Sequence, residues 1–286
     1  MKGIVLAGGT GSRLYPSTIS VNKHLLPIYD KPMIFYPISV LLLSGIRDIL
    51  IITTKEDASL FKNLLGSGDY IGCKFSYEIQ EEPNGIAEAF IIGEKFIGND
   101  NVMLILGDNI LYGSGLSSII KPTLDNCAKI FPIIVNDPER FGVVEYDQEG
   151  QIISIEEKPK IPKSNFAIPG IYYYPNDVIK ISKTIEPSDR GELEISSLNE
   201  YYLNNNRIKA FNLPRGITWL DTGTPDSLAD AIEFVKVIEK RTTKKIACLE
   251  EIALLRGYIT KQQAIKAAKR YGKSQYADYI KNISVD

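Results

Sequence analysis

The sequence predicts an α/β fold: a mixed, mainly parallel central sheet flanked by helices, followed by a small C-terminal helical extension. Three observations point there. Short, fully apolar runs (GIVLA at 3–7, DILIITT at 48–54, VMLIL at 102–106) alternate with helix-like stretches in the first half of the chain. Apolar strands separated by helices are the mark of parallel β-α-β units covered on both faces. In the middle, strand-like segments follow one another with short connections, which adds antiparallel or mixed pairing. Beyond about residue 240 the pattern turns wholly helical.

Taken in order, residues 3–7 read as a buried strand that stops at a glycine cluster. Residues 32–43 are apolar nearly all round, which predicts a buried helix with prolines near its start. Residues 48–54 are a β-branched strand, 56–65 a helix, and 74–79 an alternating, half-buried strand. Ile86, Ala89, Phe90, Gly93 and Ile97 recur at helical spacing before the apolar strand at 102–106. Strands follow at 130–135, 142–146, 151–155 and 170–174, then a helix at 192–204 and a strand at 208–213. A helix at 224–239 has Thr224 as its N-cap. In the extension, Ala264, Ala267, Ala268 and Tyr271 form one apolar stripe, and Tyr276, Tyr279, Ile280 and Ile283 a second.

Of the 286 residues, 44% are hydrophobic and 24% charged, ordinary globular composition with length enough for a full core. Lys and Arg number 33 against 35 Asp and Glu, a formal charge of −2. Duplex nucleic acid or an anionic membrane is therefore not the expected partner, whereas local phosphate sites remain open. Three scattered cysteines, Cys73, Cys127 and Cys248, offer neither a disulfide framework nor a zinc motif. His24 is the only histidine, so a His-cluster metal site is excluded and any metal must be a hard ion held by carboxylates. No apolar run reaches the about 20 residues of a membrane span, and no signal-peptide pattern opens the chain, so a cytoplasmic location is expected.

The strongest chemical feature follows the first strand: Gly8-Gly9-Thr10-Gly11-Ser12-Arg13-Leu14. Its glycines let the backbone approach a ligand and turn N–H groups toward an anion, and Arg13 adds a planar cation suited to phosphate oxygens. It is neither a P-loop, which needs GxxxxGK[ST], nor a dinucleotide fingerprint, which needs glycine where Leu14 stands. A plain strand-to-helix turn is the blander reading. Lys23, in Asn22-Lys23-His24-Leu25-Leu26-Pro27, is either a second phosphate cation or a solvated loop lysine. His24 alone reads more readily as a packing residue than as a catalyst.

These segments, with Tyr29-Asp-Lys-Pro32, resemble the sugar-1-phosphate nucleotidyltransferase family, and its thymidylyltransferase branch in particular. The similarity continues through Gln80-Glu-Glu-Pro-Asn-Gly85, Leu106-Gly-Asp108-Asn109, Pro138-Glu-Arg-Phe-Gly142, Glu156-Glu157-Lys158-Pro159, Arg190-Gly-Glu192 and Trp219-Leu-Asp221-Thr-Gly-Thr. Essentially the whole chain is covered. The resemblance implies the Rossmann-like nucleotidyltransferase fold and Mg²⁺-dependent transfer of a deoxythymidylyl group from dTTP to glucose 1-phosphate. The products would be pyrophosphate and dTDP-glucose, opening a route to dTDP-rhamnose and other deoxysugars. It also implies a catalytic domain over 1–240, nucleotide-binding to about 110 and sugar-binding to about 240, and a 241–286 extension for subunit contacts.

The resemblance assigns roles residue by residue. Gly8, Gly9, Thr10, Gly11 and Ser12 would cradle the triphosphate, and Arg13 and Lys23 would neutralise departing pyrophosphate. Asp108 and Asp221 would hold one Mg²⁺, and Lys158 would grip the sugar phosphate. Gln80 and Gly85 would meet the base. Asn109, Gly142, Glu157, Ile168 and Glu192 would meet the hexose. Taken singly, each of these is an ordinary turn, cap or surface residue.

His24 stands where Gln is common in the family, Phe141 where Tyr is frequent and Pro169 where Thr is usual, so sugar identity stays open. Gln80 pairs equally well with thymine and uracil, so dTTP against UTP stays open too. The extension resembles that of long-form members, homotetramers with a second, regulatory nucleotide site for dTDP-rhamnose. Leu254-Leu255-Arg256 departs from their aromatic-Arg pattern, so subunit contact is the firmer expectation. Two readings from other classes are disfavoured. A silent nucleotide-sugar-binding regulator would have lost a phosphate cation or a metal carboxylate, and a nicotinamide oxidoreductase would need the missing glycine.

Overall fold

The computed structural model of the protein describes residues 1–9, 11–123 and 125–284. The glycine-stopped apolar run is strand β1 (Lys2–Ala7). A two-strand hairpin, β2 (Pro27–Ile28) and β3 (Lys31–Pro32), leads into helix α1 (Phe35–Leu43). Residues 35–42 of α1 are all buried, as an all-round apolar helix requires. Strand β4 (Asp48–Thr53), helix α2 (Ala58–Leu65) and strand β5 (Lys74–Ile79) fall where the pattern predicts. The 86–97 periodicity becomes two short helices, α3 (Glu88–Ile92) and α4 (Glu94–Ile97), meeting at Gly93.

After β6 (Val102–Leu106) and a Gly107-Asp108 turn comes a strand the sequence reading lacks, β7 (Asn109–Tyr112), then α5 (Leu116–Ile119). The expected 130–135 strand is two: β8 (Ala128–Ile130) and β9 (Ile133–Ile134), in different sheets. Pro132 between them has no N–H for a ladder, which breaks the run. Strands β10 (Gly142–Tyr146), β11 (Ile152–Glu157) and β12 (Phe166–Ile168) follow, the last unforeseen, then β13 (Ile171–Tyr174). Next come α6 (Val178–Ser182), α7 (Ile195–Asn204), β14 (Ile208–Ala210) and β15 (Thr218–Asp221). Helix α8 (Pro225–Thr242) begins at Thr224, whose hydroxyl accepts the Ser227 N–H while Ser227 returns a bond to the Thr224 N–H. The chain closes with α9 (Leu249–Leu255), α10 (Lys261–Ala268) and α11 (Gln275–Asn282).

The central sheet has seven strands in the order β14-β8-β13-β6-β1-β4-β5. Pairs β5/β4, β4/β1, β1/β6 and β8/β14 are parallel, and β13 runs antiparallel to both β6 and β8. It is thus mixed and mainly parallel, as expected. Alternate strand residues face opposite layers. Val5 and Ile51 join Phe35, Leu41, Leu249, Ala253 and Tyr276 on one side, while Ile4 and Leu50 join Phe90, Ile179 and Leu198 on the other. The helices beyond residue 248 therefore share a core with α1. A second, four-stranded antiparallel sheet has the order β11-β10-β12-β9, and β7 pairs with β15 as a ribbon. Among the described residues no helix is long and apolar enough to cross a membrane.

Candidate active site

Three parts of this architecture meet at one cleft. Strands β1 and β6 are parallel neighbours, so the glycine loop and the Gly107-Asp108 turn leave the sheet at the same carboxyl edge, where open α/β sheets place ligands. The β7/β15 ribbon sets Asn109 opposite Asp221. In the four-stranded sheet Gly142 faces Glu157 across one ladder and Ile168 across the other. The result is a cleft open to solvent, with residues of all three parts in its walls. Of the residues singled out from sequence, Arg13, Asp108, Asn109, Gly142, Glu157, Lys158, Ile168 and Asp221 line it. Arg140, Tyr172 and Trp219 also line it without having been assigned a role. Arg140 and Trp219 lie inside motif segments already noted, which was the available signal.

Lys23 stands just behind the lining. It is 8% exposed, and its ammonium donates to Asp108 Oδ2 at 2.5 Å. Burial alone would raise the Asp108 carboxyl, but the Lys23 charge, His24 and direct hydrogen bonds outweigh it and lower the group to about 2. Asp108 is therefore a carboxylate at any neutral pH. Asn109 orients it: its Nδ2 donates to Asp108 Oδ1 at 3.0 Å, while its Oδ1 accepts from the Gly170 N–H and the Trp219 indole. His24 is buried with its ring against Gly107. Asn22 donates its amide to Asp57 and Ala7, so its Oδ1 is free to accept from His24 Nδ1 at 2.8 Å. Burial first and then Lys23 lower the imidazole to about 3, which leaves it neutral.

Asp221 is paired with Arg140, whose second guanidinium nitrogen bonds Asp137. Gly223 keeps the space between Asp221 and Arg13 open, because a Cβ there would lie 3.1 Å from Asp221 Oδ2 and 3.2 Å from an Arg13 nitrogen. Asp108 and Asp221 line the same cleft. Two carboxylates are an oxygen donor set for a hard divalent ion that completes its shell with phosphate and water oxygens. The residues present fit such an ion.

On the opposite wall, Glu157 and Lys158 are sequence neighbours that both reach the cleft. Adjacent strand residues ordinarily point to opposite faces. Here Lys158, just past β11, has φ +44, a left-handed turn that re-aims its side chain at a cost of order 1–3 kcal/mol. Glu157 is held by the Ser196 hydroxyl. Trp219 packs edge-on against Phe141, ring centroids 4.7 Å apart, and forms an apolar flank.

The remaining assigned residues surround this centre. Gly11 has φ +64 and lies against Lys23, where a Cβ would come within 3.1 Å of Lys23 Cβ. Ser12 and Arg13 open a single 3-10 turn. Among the described residues the N–H groups of Gly8, Gly9 and Gly11 donate to no acceptor, which leaves them for an anion. Thr10 lies outside the described residues. Gln80 is buried against Gly8 and donates to Gly85 O and Glu88. Gly85 has φ +105, and a Cβ there would meet the Leu193 carbonyl at 2.5 Å, so its glycine serves the Leu193 contact as well as any ligand. Glu192 stands apart, beside Arg190 at 3.6 Å and not among the cleft residues.

Comparison with known proteins places the chain in a family. The sequence model of the nucleotidyl transferase family matches residues 2–237. A glucose-1-phosphate thymidylyltransferase of Neisseria meningitidis is 51% identical over 282 residues, 98% of each chain. A Bacillus anthracis protein solved in complex with a sucrose is 44% identical with a TM-score of 0.76, covering 82% of this chain and 94% of that one. A UDP-glucose pyrophosphorylase solved with UDP-glucose is 27% identical with a TM-score of 0.71, covering 84% and 99%.

Proposed function

Given that the chain belongs to the nucleotidyl transferase family, we propose that it transfers a deoxythymidylyl group from dTTP to glucose 1-phosphate, giving dTDP-glucose and pyrophosphate. The observation that carries the reading is the cleft itself, where Arg13, Arg140 and Lys158 surround the carboxylates of Asp108 and Asp221. Both reactants are polyanions, so the protein's task is to neutralise charge and hold an in-line geometry. The nucleophile is already a phosphate oxyanion, so no general base is needed, in keeping with a lone and neutral histidine.

Under this reading the glycine-loop N–H groups cradle the triphosphate. Arg13 and Lys23 take up the negative charge that develops on the leaving pyrophosphate. Lys158 fixes the sugar phosphate, and Gly142, Glu157 and Ile168 receive the hexose. Gln80 and Gly85 meet the base. Asp108 and Asp221 would hold Mg²⁺, which when bound neutralises phosphate oxygens. Glu192 would contribute only by moving toward the cleft.

We extend the proposal to a cytoplasmic homo-oligomer in which residues 241–286 form subunit contacts, since Leu255 and Ile265 within that segment are 59% and 39% exposed. The distant likeness to a UDP-glucose pyrophosphorylase keeps UTP as a second reading for the nucleotide. Pyrophosphate release with Mg²⁺, crossing dTTP, UTP, ATP, CTP and GTP against glucose, galactose, mannose and N-acetylglucosamine 1-phosphates, tests the reaction and its substrates. A maximum at dTTP with glucose 1-phosphate supports the proposal and a maximum elsewhere moves the substrate. Silence from folded protein that still binds nucleotide turns the chain into a binding regulator.

A further inference from the structure

We propose that Arg140 is a displaceable counter-ion, one that holds the Asp221 carboxylate and must leave it before a divalent ion can bind there. The inference rests on the metal role given to Asp221 above. Each acid of that pair is met by its own cation. Lys23 meets Asp108 at 2.5 Å, with side chains only 10% and 21% exposed, and Asn109 donates to the other Asp108 oxygen. Asp108 is thus fixed from two sides, whereas Asp221 is held from one. Its Oδ2 accepts from Arg140 Nη2 at 2.8 Å, and among the described residues nothing donates to its Oδ1. The engaged oxygen is the one beside Arg13, since a Cβ on Gly223 would lie 3.1 Å from it and 3.2 Å from an Arg13 nitrogen. A guanidinium there neutralises the charge that would draw an ion in and repels any cation that approaches.

The arginine also has somewhere to go. Its Nη1 donates to Asp137 Oδ2 at 2.6 Å, outside the pair of acids, and its guanidinium lies 5.0 Å from the centre of the Phe141 ring. Arg140 and Asp221 border both the cleft and a neighbouring crevice that Asp137, Ser227 and Asp230 also line. The bond to Asp221 can therefore break while the bond to Asp137 and the ring contact persist, and Asp230 offers a further carboxylate on that side. The Arg140 side chain is 35% exposed, so water reaches the guanidinium as it moves. An ion carried in on a triphosphate brings phosphate oxygens as additional ligands, which makes it a stronger competitor for Asp221 than the bare ion.

The test is Mn²⁺ binding to the full chain without substrates, read from the electron-spin-resonance signal of the free ion. The Kd is expected to fall about threefold or more in Arg140→Gln, the worth of a partly exposed ion pair. Damage to the site could only raise that constant, so tighter binding separates a counter-ion from a packing residue. Arg140→Lys, which keeps the charge with fewer donors, should lie between the two. In an Asp221→Asn background, Arg140→Gln should change nothing. An unchanged or raised Kd in Arg140→Gln overturns the inference. The same titration with dTTP and no sugar phosphate tests the reading beneath it. If Asp221→Asn weakens Mn²⁺ binding there while Arg140→Gln tightens nothing, the metal role stands and only the inference falls. If Asp221→Asn leaves Mn²⁺ binding unmoved, both fall together.

Discussion

Replacing His24 by Gln isolates the electrostatic cost of burying an imidazole beside the charged pair of the cleft. The ring is 3% exposed and lies so close to Gly107 that a Cβ there would be 2.6 Å from its Cδ2. Burial, reinforced by the adjacent Lys23 ammonium, lowers it from 6.5 to about 3. Because the folded value lies below the unfolded one, the fold favours the neutral ring. That contribution is complete above pH 6.5 and is lost progressively as pH falls toward 3. Each unit is worth about 1.4 kcal/mol, so at pH 5, one and a half units down, the loss is about 2 kcal/mol. This is a sizeable share of the about 5–15 kcal/mol that hold a typical domain. Gln does not titrate, yet its amide can still donate toward Asn22. Urea unfolding of the two proteins near pH 7.5, 6 and 5, at fixed ionic strength, reads the difference directly. The stability of His24→Gln relative to the unaltered protein should rise by about 2 kcal/mol between pH 7.5 and 5. Parallel stability curves over that interval would refute the reasoning, because the imidazole would then titrate alike folded and unfolded.

Asp108→Asn should reduce Mg²⁺-dependent turnover by roughly 10²–10³-fold and also lower the unfolding midpoint, since the nearly buried Lys23 ammonium keeps an acceptor but loses its counter-charge. Unchanged turnover would remove Asp108 from the metal site. Gly142→Ala should fold normally, because the new methyl would lie 3.4 Å from Glu157 and 3.6 Å from Ile168, ordinary contact distances. It takes up space on the floor of the cleft, so the KM for glucose 1-phosphate should rise about tenfold, equivalent to about 1.4 kcal/mol, with that for dTTP unmoved. The reverse pattern would place the sugar elsewhere. Gly85→Ala combines φ +105 with a 2.5 Å approach to the Leu193 carbonyl. It should destabilise by at least about 1–3 kcal/mol of backbone strain, measured by thermal unfolding, and an unshifted midpoint would show that the 84–87 loop simply moves aside.

What the sequence revealed and what it hid divide along physical lines. Strands β1, β4 and β6 are continuous apolar runs that local pattern alone identifies, and the glycine loop is visible because its glycines meet a specific backbone need. The β7/β15 ribbon was invisible because each strand is four residues long and looks like a turn. Its pairing of Asn109 with Asp221 joins positions far apart in the chain. Only the resemblance put Asp108 and Asp221 together. Arg140 escaped for the same reason, as its partner Asp221 is 81 positions away. Pro132 was the overlooked signal in the 130–135 run, since a proline there argues against one uninterrupted strand. The left-handed Lys158 left no trace at all, because lysine carries none of the preference for positive φ that glycine or asparagine would have shown.

The ribbon that sets Asn109 opposite Asp221 has a consequence for a chain emerging from the ribosome. By the time Asp108 has been made, the glycine loop, Lys23 and the parallel strands β1, β4 and β6 are all present, enough to begin a sheet. The second acid and the tryptophan that clasps Asn109 arrive more than a hundred residues later, on β15. Until then a nascent chain lacks one of the two carboxylates proposed to hold the metal ion. If Asp221 takes the role proposed for it, the chemistry waits until most of the polypeptide has been synthesised and β15 has closed against β7, which makes completion of the fold the switch that turns the site on.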